Sequence, residues 1–168
     1  DTRPNIIIET GTGCGGSAMY LIDTMRGCYI EAPLVITIDI NKNYLNYGGI
    51  EQIQGCSIAV LTIDILNRIR LDRIRCNPKE RTMVILDSSH TYEHVSAELG
   101  LYSPMVSEGC YLVVEDTNNH IYREGKGALE AVEDFQCDEL GLDLNREQFM
   151  LTFNPCGYLM KLPTRKEE

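Results

Sequence analysis

The sequence predicts one α/β domain over residues 1–168, built as a doubly wound, mostly parallel sheet with helices on both faces. Apolar runs rich in β-branched residues alternate with helical patterns along the chain, which is typical of this fold class. The strongest runs are continuously apolar, as in strands that are buried on both faces. A glycine-rich segment follows the first run directly, as it does in nucleotide-binding folds.

Five apolar runs are predicted as strands: 5–9, 33–40, 49–55, 82–87 and 110–116. Helical patterns follow at 16–27, 63–75, 91–109 and 127–140. The third of these ends at Gly109, a residue that commonly stops helices. The tail, 148–162, is predicted as two short strands around a turn that contains Pro155. Strand and helix therefore alternate until a terminal pair of strands.

The composition excludes several classes of protein. The net charge of −10 argues against nucleic acid or an anionic membrane surface as a partner. No apolar run approaches the roughly 18 residues that a membrane span needs. The seven cysteines are scattered and form no C-x-x-C pair, which predicts reduced thiols in a cytoplasmic protein. The chain opens at DTRPN without an initiator methionine, so we expect it to lie within a longer protein.

The glycine-rich segment IIIETGTGCGGSAMYL, 6–21, raises the question of which ligand it holds. By letters, Gly11, Gly13 and Gly16 match G-x-G-x-x-G, and both NAD and S-adenosylmethionine (SAM) bind on such a turn. Glu9 stands two residues before the first of these glycines. A carboxylate there attracts the sulfonium and ammonium groups of SAM and repels the pyrophosphate of NAD.

Two further residues favour SAM over NAD. Asp39 ends the second predicted strand, where a carboxylate can accept hydrogen bonds from the two hydroxyls of an adenosine ribose. It lies further from Gly11 than the roughly 20 residues typical of the NAD motif. Ser17, at the predicted helix start, can hold a ligand carboxylate together with backbone N–H groups.

Acidic residues at two other strand ends predict a metal site. ILDSSHTYEH supplies Asp87 and His90, and VVEDTN supplies Glu115 and Asp116. Carboxylates without a cysteine ligand favour a hard divalent ion, of which Mg²⁺ fits best. Such an ion lowers the pKa of a substrate hydroxyl. His90 follows Asp87 by three residues, close enough to act as a general base.

Some of the same residues also have purely structural explanations. An aspartate after an apolar strand is often a helix cap, and Ser88 or Ser89 could cap the helix that begins near Thr91. His94 is interpreted as a surface residue of that helix rather than a ligand.

Three stretches resemble the cephalosporin hydroxylase / rhamnosyl O-methyltransferase family of class I SAM-dependent enzymes. They are IIETGTGCGGSA, the region from VILDSSHTYEHVSAEL to YLVVEDT, and FMLTFNPCGYLMKL. The resemblance covers nearly the whole chain. It implies a seven-stranded Rossmann-like methyltransferase sheet whose last strand is antiparallel.

The resemblance also implies roles for individual residues. The family's Mg²⁺-binding acidic triad maps onto Asp87, Glu115 and Asp116, and the family histidine that follows the first metal ligand maps onto His90. The layout is similar to catechol O-methyltransferase, which has a catalytic lysine at the place of His90.

The cofactor site follows from the same resemblance. SAM is expected to lie across the loop that contains Gly11, Gly13, Gly15 and Ser17. The family's segment near the adenine resembles 55–57, which contributes Cys56 and Ser57.

The chain also departs from the family. It lacks the family's N-terminal helical segment, its connection between the second and third strands is short, and GKG stands where the family has Gly-Pro before the late helix.

The leading hypothesis is a Mg²⁺-dependent O-methyltransferase that acts on a hydroxyl of a sugar or natural product. The alternatives are an NAD-dependent oxidoreductase, against which Glu9 counts, and an inactive or purely binding homologue. The acceptor is not identified, and a homo-oligomer is left open.

Overall fold

The computed structural model describes residues 2–41, 45–118, 125–135, 142–144 and 154–163, with 142–144 described by their backbone. Within these residues seven strands form one sheet: β1 Ile6–Thr10, β2 Leu34–Asp39, β3 Ile50–Gln54, β4 Thr82–Leu86, β5 Tyr111–Val114, β6 Leu142–Leu144 and β7 Tyr158–Lys161. The α-helices of the same residues are α1 Gly16–Gly27, α2 Val60–Cys76, α3 Tyr92–Tyr102 and α4 Ala128–Asp134.

The strand order in the sheet is β3-β2-β1-β4-β5-β7-β6. Neighbouring strands from β3 to β5 are parallel, and β7 runs antiparallel to both β5 and β6. The predicted mostly parallel sheet with an antiparallel last strand is therefore confirmed. The strand order reverses between β1 and β4, and ligands of open α/β sheets bind at this point, beyond the carboxyl ends of the strands.

The core lies on both faces of the sheet. Every residue of β1 is buried, and alternate residues of the strand enter different apolar clusters. Ile6 and Ile8 pack with side chains of α2, α3 and α4 on one face, whereas Ile7 packs with α1 on the other. Burial on both faces is the physical reason why β1 reads as a continuous apolar run.

Three predicted helices have a wrong bound. The helix predicted over 127–140 ends at Asp134, because Phe135 is already extended. The helix predicted over 91–109 ends at Tyr102 and continues as a 3₁₀ turn, Ser103–Met105. Pro104 has no N–H for a helical hydrogen bond, and its ring clashes with the preceding turn, so the α-helix stops there. The helix predicted over 63–75 begins earlier, at Val60.

The terminal strands differ in part from the prediction. β7 falls within the predicted tail, but its outer partner is β6, a three-residue segment that the sequence did not predict as a strand. The first strand of the predicted pair falls on 148–153, which lies outside the described residues.

Among the described residues, no helix combines the length and apolar character needed to cross a membrane.

Candidate active site

A cleft lies beyond the carboxyl ends of the parallel strands, and it contains a cavity with a volume of about 440 Å³. Four of the predicted cofactor residues line this cavity: Gly11, Asp39, Cys56 and Ser57. They come from three different segments, the loops after β1, β2 and β3. The structure therefore brings together residues that the sequence places far apart.

Gly11 packs closely against the backbone of Asp87, the residue that follows β4. Its φ is +88°, and a Cβ at this position would overlap the backbone carbonyl oxygen of Asp87. Only glycine fits such a close approach without displacing the neighbouring backbone. The cofactor loop and the loop that carries the predicted metal ligands are thus in direct contact.

Asp39 fixes the shape of the glycine loop from the end of β2. Its Oδ2 accepts a hydrogen bond from the backbone N–H of Gly13 at 3.0 Å, and its Oδ1 accepts one from Asn41 N–H at 2.8 Å. An ionised carboxylate has about four acceptor positions. The two carboxylate oxygens therefore retain capacity for ligand hydroxyls, and the predicted ribose contact stays a prediction.

Glu9 lies beneath the glycine loop rather than in the cavity. Its side chain is buried, and its Oε2 accepts a hydrogen bond from Thr37 Oγ1 at 2.6 Å. Burial raises the pKa of Glu9, whereas hydrogen bonds from Ser17 and Thr37 act to lower it. A direct ligand contact by Glu9 or Ser17 stays a prediction, and the same holds for Gly13 and Gly15.

The predicted metal site is built by hydrogen bonds between adjacent strand ends. Asp87 N–H donates to the Thr10 carbonyl at 3.0 Å, and Glu115 N–H donates to the Leu86 carbonyl at 2.9 Å. The ladder therefore continues one residue beyond β1, β4 and β5, and it sets these residues side by side. The convergence of acidic residues follows directly from the parallel register.

Asp87, His90 and Asp116 form a cluster in which one ligand atom from each lies within 4.8 Å of the others. His90 Nε2 is 3.3 Å from Asp116 Oδ2 and 3.8 Å from Asp87 Oδ1. These are the spacings from which a single ion or a shared proton can be held. The juxtaposition of His90 with two predicted metal ligands agrees with its predicted place in the site.

The cluster brings together carboxyl groups that repel one another. Burial, followed by repulsion from Glu115 and Asp116, raises the pKa of Asp87 to about 7. Burial and repulsion from Asp116 likewise raise the pKa of Glu115, although a hydrogen bond from Asn154 opposes the rise. A divalent cation would remove this repulsion, so the donor set fits Mg²⁺.

Glu115 is not part of the group of converging ligand atoms found among the described residues. Its charge still acts on the cluster, since it helps to raise the pKa of Asp87. Its role as a third metal ligand stays a prediction.

The turn before β7 hydrogen-bonds to the segment after β5 that carries Asp116. Asp116 adopts a left-handed conformation with φ +55°, and its N–H donates to Asn154 Oδ1 at 2.8 Å. Thr117 Oγ1 donates to the Pro155 carbonyl at 2.6 Å. The sequence analysis did not single out Asn154; its only signal was the position within the proline-containing turn.

The interpretation of His94 as a surface residue is wrong. His94 lines the cavity, only 18% of its side chain is exposed, and its Nε2 lies 2.9 Å from Ser57 Oγ. Glu98 stands one helical turn further on and is buried on the same side of α3. This i, i+4 pairing of a histidine with a glutamate was the signal that could have identified it.

The capping interpretation of the serines is also not supported. The N-cap of α3 is Thr91, and it makes no side-chain capping hydrogen bond. Ser88 instead donates its hydroxyl to Glu98 Oε1 at 2.7 Å.

The sequence matches a known family along almost its whole length. The family model described as Rhamnosyl O-methyltransferase/CmcI covers residues 1–162. The rhamnosyl O-methyltransferase of Mycobacterium tuberculosis is 33% identical over 170 residues, which covers 96% of this chain and 69% of that protein. The protein of the same name from Mycobacterium leprae is 30% identical over 174 residues, with 96% and 73% covered.

Solved structures of methyltransferases share the fold. MycE from the mycinamycin biosynthetic pathway, in complex with Mg and SAH, matches with a TM-score of 0.50 and 26% identity; the match covers 70% of this chain and 28% of MycE. A structure of CmcI with Mg and SAM gives a TM-score of 0.63 at 19% identity, over 96% of this chain and 66% of CmcI. The chain thus spans only part of each of these proteins.

The family match and the sheet topology agree with each other. This chain belongs to the rhamnosyl O-methyltransferase/CmcI family, and the expected enzyme class, an SAM-dependent O-methyltransferase, is confirmed.

Proposed function

We propose that this chain is a Mg²⁺-dependent enzyme that transfers the methyl group of SAM to a hydroxyl of a sugar or a sugar-bearing natural product. The observation that carries the proposal is the cluster of Asp87, His90 and Asp116 directly beside the cavity lined by Gly11. The names of the relatives, rhamnosyl O-methyltransferase and a mycinamycin-pathway methyltransferase with Mg and SAH, support the acceptor class and both cofactors.

From the lining residues, we assign the two ends of the cleft to different parts of SAM. Asp39 and Ser57 line the cavity on the β2 and β3 side, which suits the ribose and adenine. The glycine loop leads from there to Asp87, so the methionine part belongs toward the acidic cluster.

When bound, Mg²⁺ supplies a Lewis acid for the acceptor hydroxyl and SAM supplies the methyl group. Asp87 and Asp116 would hold the ion, because carboxylate oxygens are the donors that Mg²⁺ prefers. That preference leaves His90 Nε2 free to accept the hydroxyl proton. Asp116 Oδ2, 3.3 Å from this nitrogen, stabilises the resulting imidazolium.

The alternative of an NAD-dependent oxidoreductase has less support. Glu9 places a buried carboxylate against Ser17 at the start of α1, and a negative charge there would repel the pyrophosphate of a dinucleotide on the glycine loop. An inactive homologue would keep the cofactor cavity but transfer no methyl group. A homo-oligomer and a cytoplasmic location stay predictions.

Calorimetry with S-adenosylhomocysteine (SAH) and with NAD, each with and without Mg²⁺, tests the cofactor assignment. We expect SAH to bind and NAD not to bind. Methyl transfer to a panel of rhamnosides and other glycosides then tests the activity, with EDTA as the control. EDTA should abolish transfer and excess Mg²⁺ should restore it; transfer that survives EDTA would contradict the metal assignment. SAH binding without transfer to any acceptor would favour the inactive homologue.

A further inference from the structure

A network of polar side chains connects α3 to the loop 55–57 along one wall of the cavity. His94 Nε2 lies 2.9 Å from Ser57 Oγ and 3.6 Å from Glu98 Oε1. Tyr102, which is fully buried, donates its hydroxyl to the backbone carbonyl of Ser57 at 2.7 Å. Ser57 is therefore held by α3 at both its side chain and its backbone.

Glu98 explains why the histidine is fixed in this place. Its side chain is buried, Oε1 accepts the hydroxyl of Ser88, and Oε2 is buried without a hydrogen-bond partner in the described residues. A buried carboxylate is costly unless donors surround it. His94 Nε2 lies 3.6 Å from Oε1 of this carboxylate, whose negative charge favours the tautomer with its N–H at Nε2, the nitrogen that faces Ser57 Oγ at 2.9 Å.

The surroundings of His94 suit a flat heteroaromatic ligand. Ile38 and Ile40 line the same cavity and give it apolar walls, while His94 and Ser57 contribute polar groups. A few polar groups within an apolar cleft are typical of sites that orient a purine-like base. Neither the family resemblance nor the sequence analysis assigned this histidine to the cofactor.

We propose that His94 is a binding residue for the adenosine part of SAM: it lines the cavity, and with Glu98 behind it, it holds Ser57 in place against the ligand. This inference rests on the proposed function, because it requires SAM to occupy this cavity. His94 is a binding and positioning residue, in contrast to His90, which faces the reacting end.

Two ligands separate the adenosine end from the methionine end. SAH carries both parts, whereas 5′-methylthioadenosine carries only the adenosine and its sulfur. We expect His94→Leu, which keeps the size but removes the donor, to weaken both ligands by a similar factor of about 3- to 10-fold, the loss of one hydrogen bond. His94→Gln should stay within about 2-fold of the wild type, because its amide nitrogen reaches the place of Nε2.

Asp23→Ala on α1 is the matched control, because this carboxylate contacts Arg26 and Tyr47 rather than the cavity. It should bind both ligands as tightly as the wild type does. Mg²⁺ affinity should be the same in all His94 variants, which a general disruption of the cleft would not allow. Should the leucine variant not fold, His94→Asn replaces it, because the shorter amide cannot reach Ser57 Oγ.

The outcomes separate this inference from the proposed function. If the wild type binds SAH but His94→Leu binds both ligands as tightly as the wild type, the role of His94 is overturned. A loss confined to SAH, or a glutamine variant as weak as the leucine variant, also overturns it. If the wild type binds neither ligand, the proposed function itself fails.

Discussion

The two described histidines, His90 and His94, are close in the chain yet have different surroundings. Both side chains are 18% exposed. His90 faces carboxylates that repel one another and are about 40% exposed, whereas His94 faces a hydroxyl and a buried glutamate. The acidic end brings carboxyl groups of like charge together, whereas the adenosine end is already hydrogen-bonded by the protein. Electrostatic repulsion between carboxyl groups therefore characterises the surroundings of His90, and preformed hydrogen bonds characterise those of His94.

Removal of His90 should give the largest effect on catalysis. His90→Ala should lower turnover by about 10²- to 10⁴-fold, the usual contribution of a general base, while SAH affinity stays nearly unchanged. Single-turnover methyl transfer and calorimetry measure the two effects separately. A rate loss below about threefold would reduce His90 to a positioning residue.

Removal of Asp39 should act on affinity instead. Asp39→Ala removes charge-assisted hydrogen bonds to the ribose and the support of Gly13 N–H, at a cost of about 1.5–3 kcal/mol in SAH binding by calorimetry. Asp23→Ala on α1, whose carboxylate contacts Arg26 and Tyr47, is the matched control and should bind SAH normally. If the Asp39 variant bound SAH with wild-type affinity, Asp39 would not be the ribose ligand.

Mg²⁺ binding should depend on pH at the acidic end. The pKa of Asp87 is raised to about 7, first by burial and then by its acidic neighbours, and the carboxyl must lose its proton to bind the ion. Between pH 8 and pH 6 the affinity should therefore fall by about tenfold, as calorimetry in two buffers would show. A constant affinity over this range would argue against Asp87 as a ligand.

The smallest expected effect is on stability without divalent ions. Because the pKa of Asp87 in the folded protein lies above its ordinary value, the folded state binds this proton more tightly than the unfolded chain. The free energy of unfolding contributed by this group therefore falls as the pH rises from about 4 to about 7. Asp87→Asn should raise Tm by about 1–3 °C at pH 8 in EDTA and leave it unchanged at pH 4. An equal shift at both pH values would point to packing rather than charge.

The elements that the sequence predicted well are those with a strong local signal. The α1 bounds, Gly16–Gly27, agree with the prediction because glycines stand at both ends of a helical pattern. The end of α3 was missed because Met105 and Val106 continue the apolar pattern past Pro104. β6 has only three residues, and its strand character comes from pairing with β7.

The site was predictable where strand ends supply the residues. Asp87 and Asp116 end adjacent parallel strands, so the register brings them together. The position of His94 was not predictable in this way. Its partner Ser57 lies on a different loop, and the sequence alone does not show which helix faces that loop.

The reversed direction of β7 has a consequence for how the enzyme is made. Because β7 runs antiparallel to β5, the turn before it, at Asn154, meets the carboxyl end of β5 and fixes the Asp116 backbone. During translation, Asp87 and Asp116 are added to the chain before Asn154. A nascent chain that has completed β5 therefore already carries these two carboxylates but lacks the residue that shapes the Asp116 loop. The native conformation of the Asp116 loop can therefore form only after Asn154 has been synthesised.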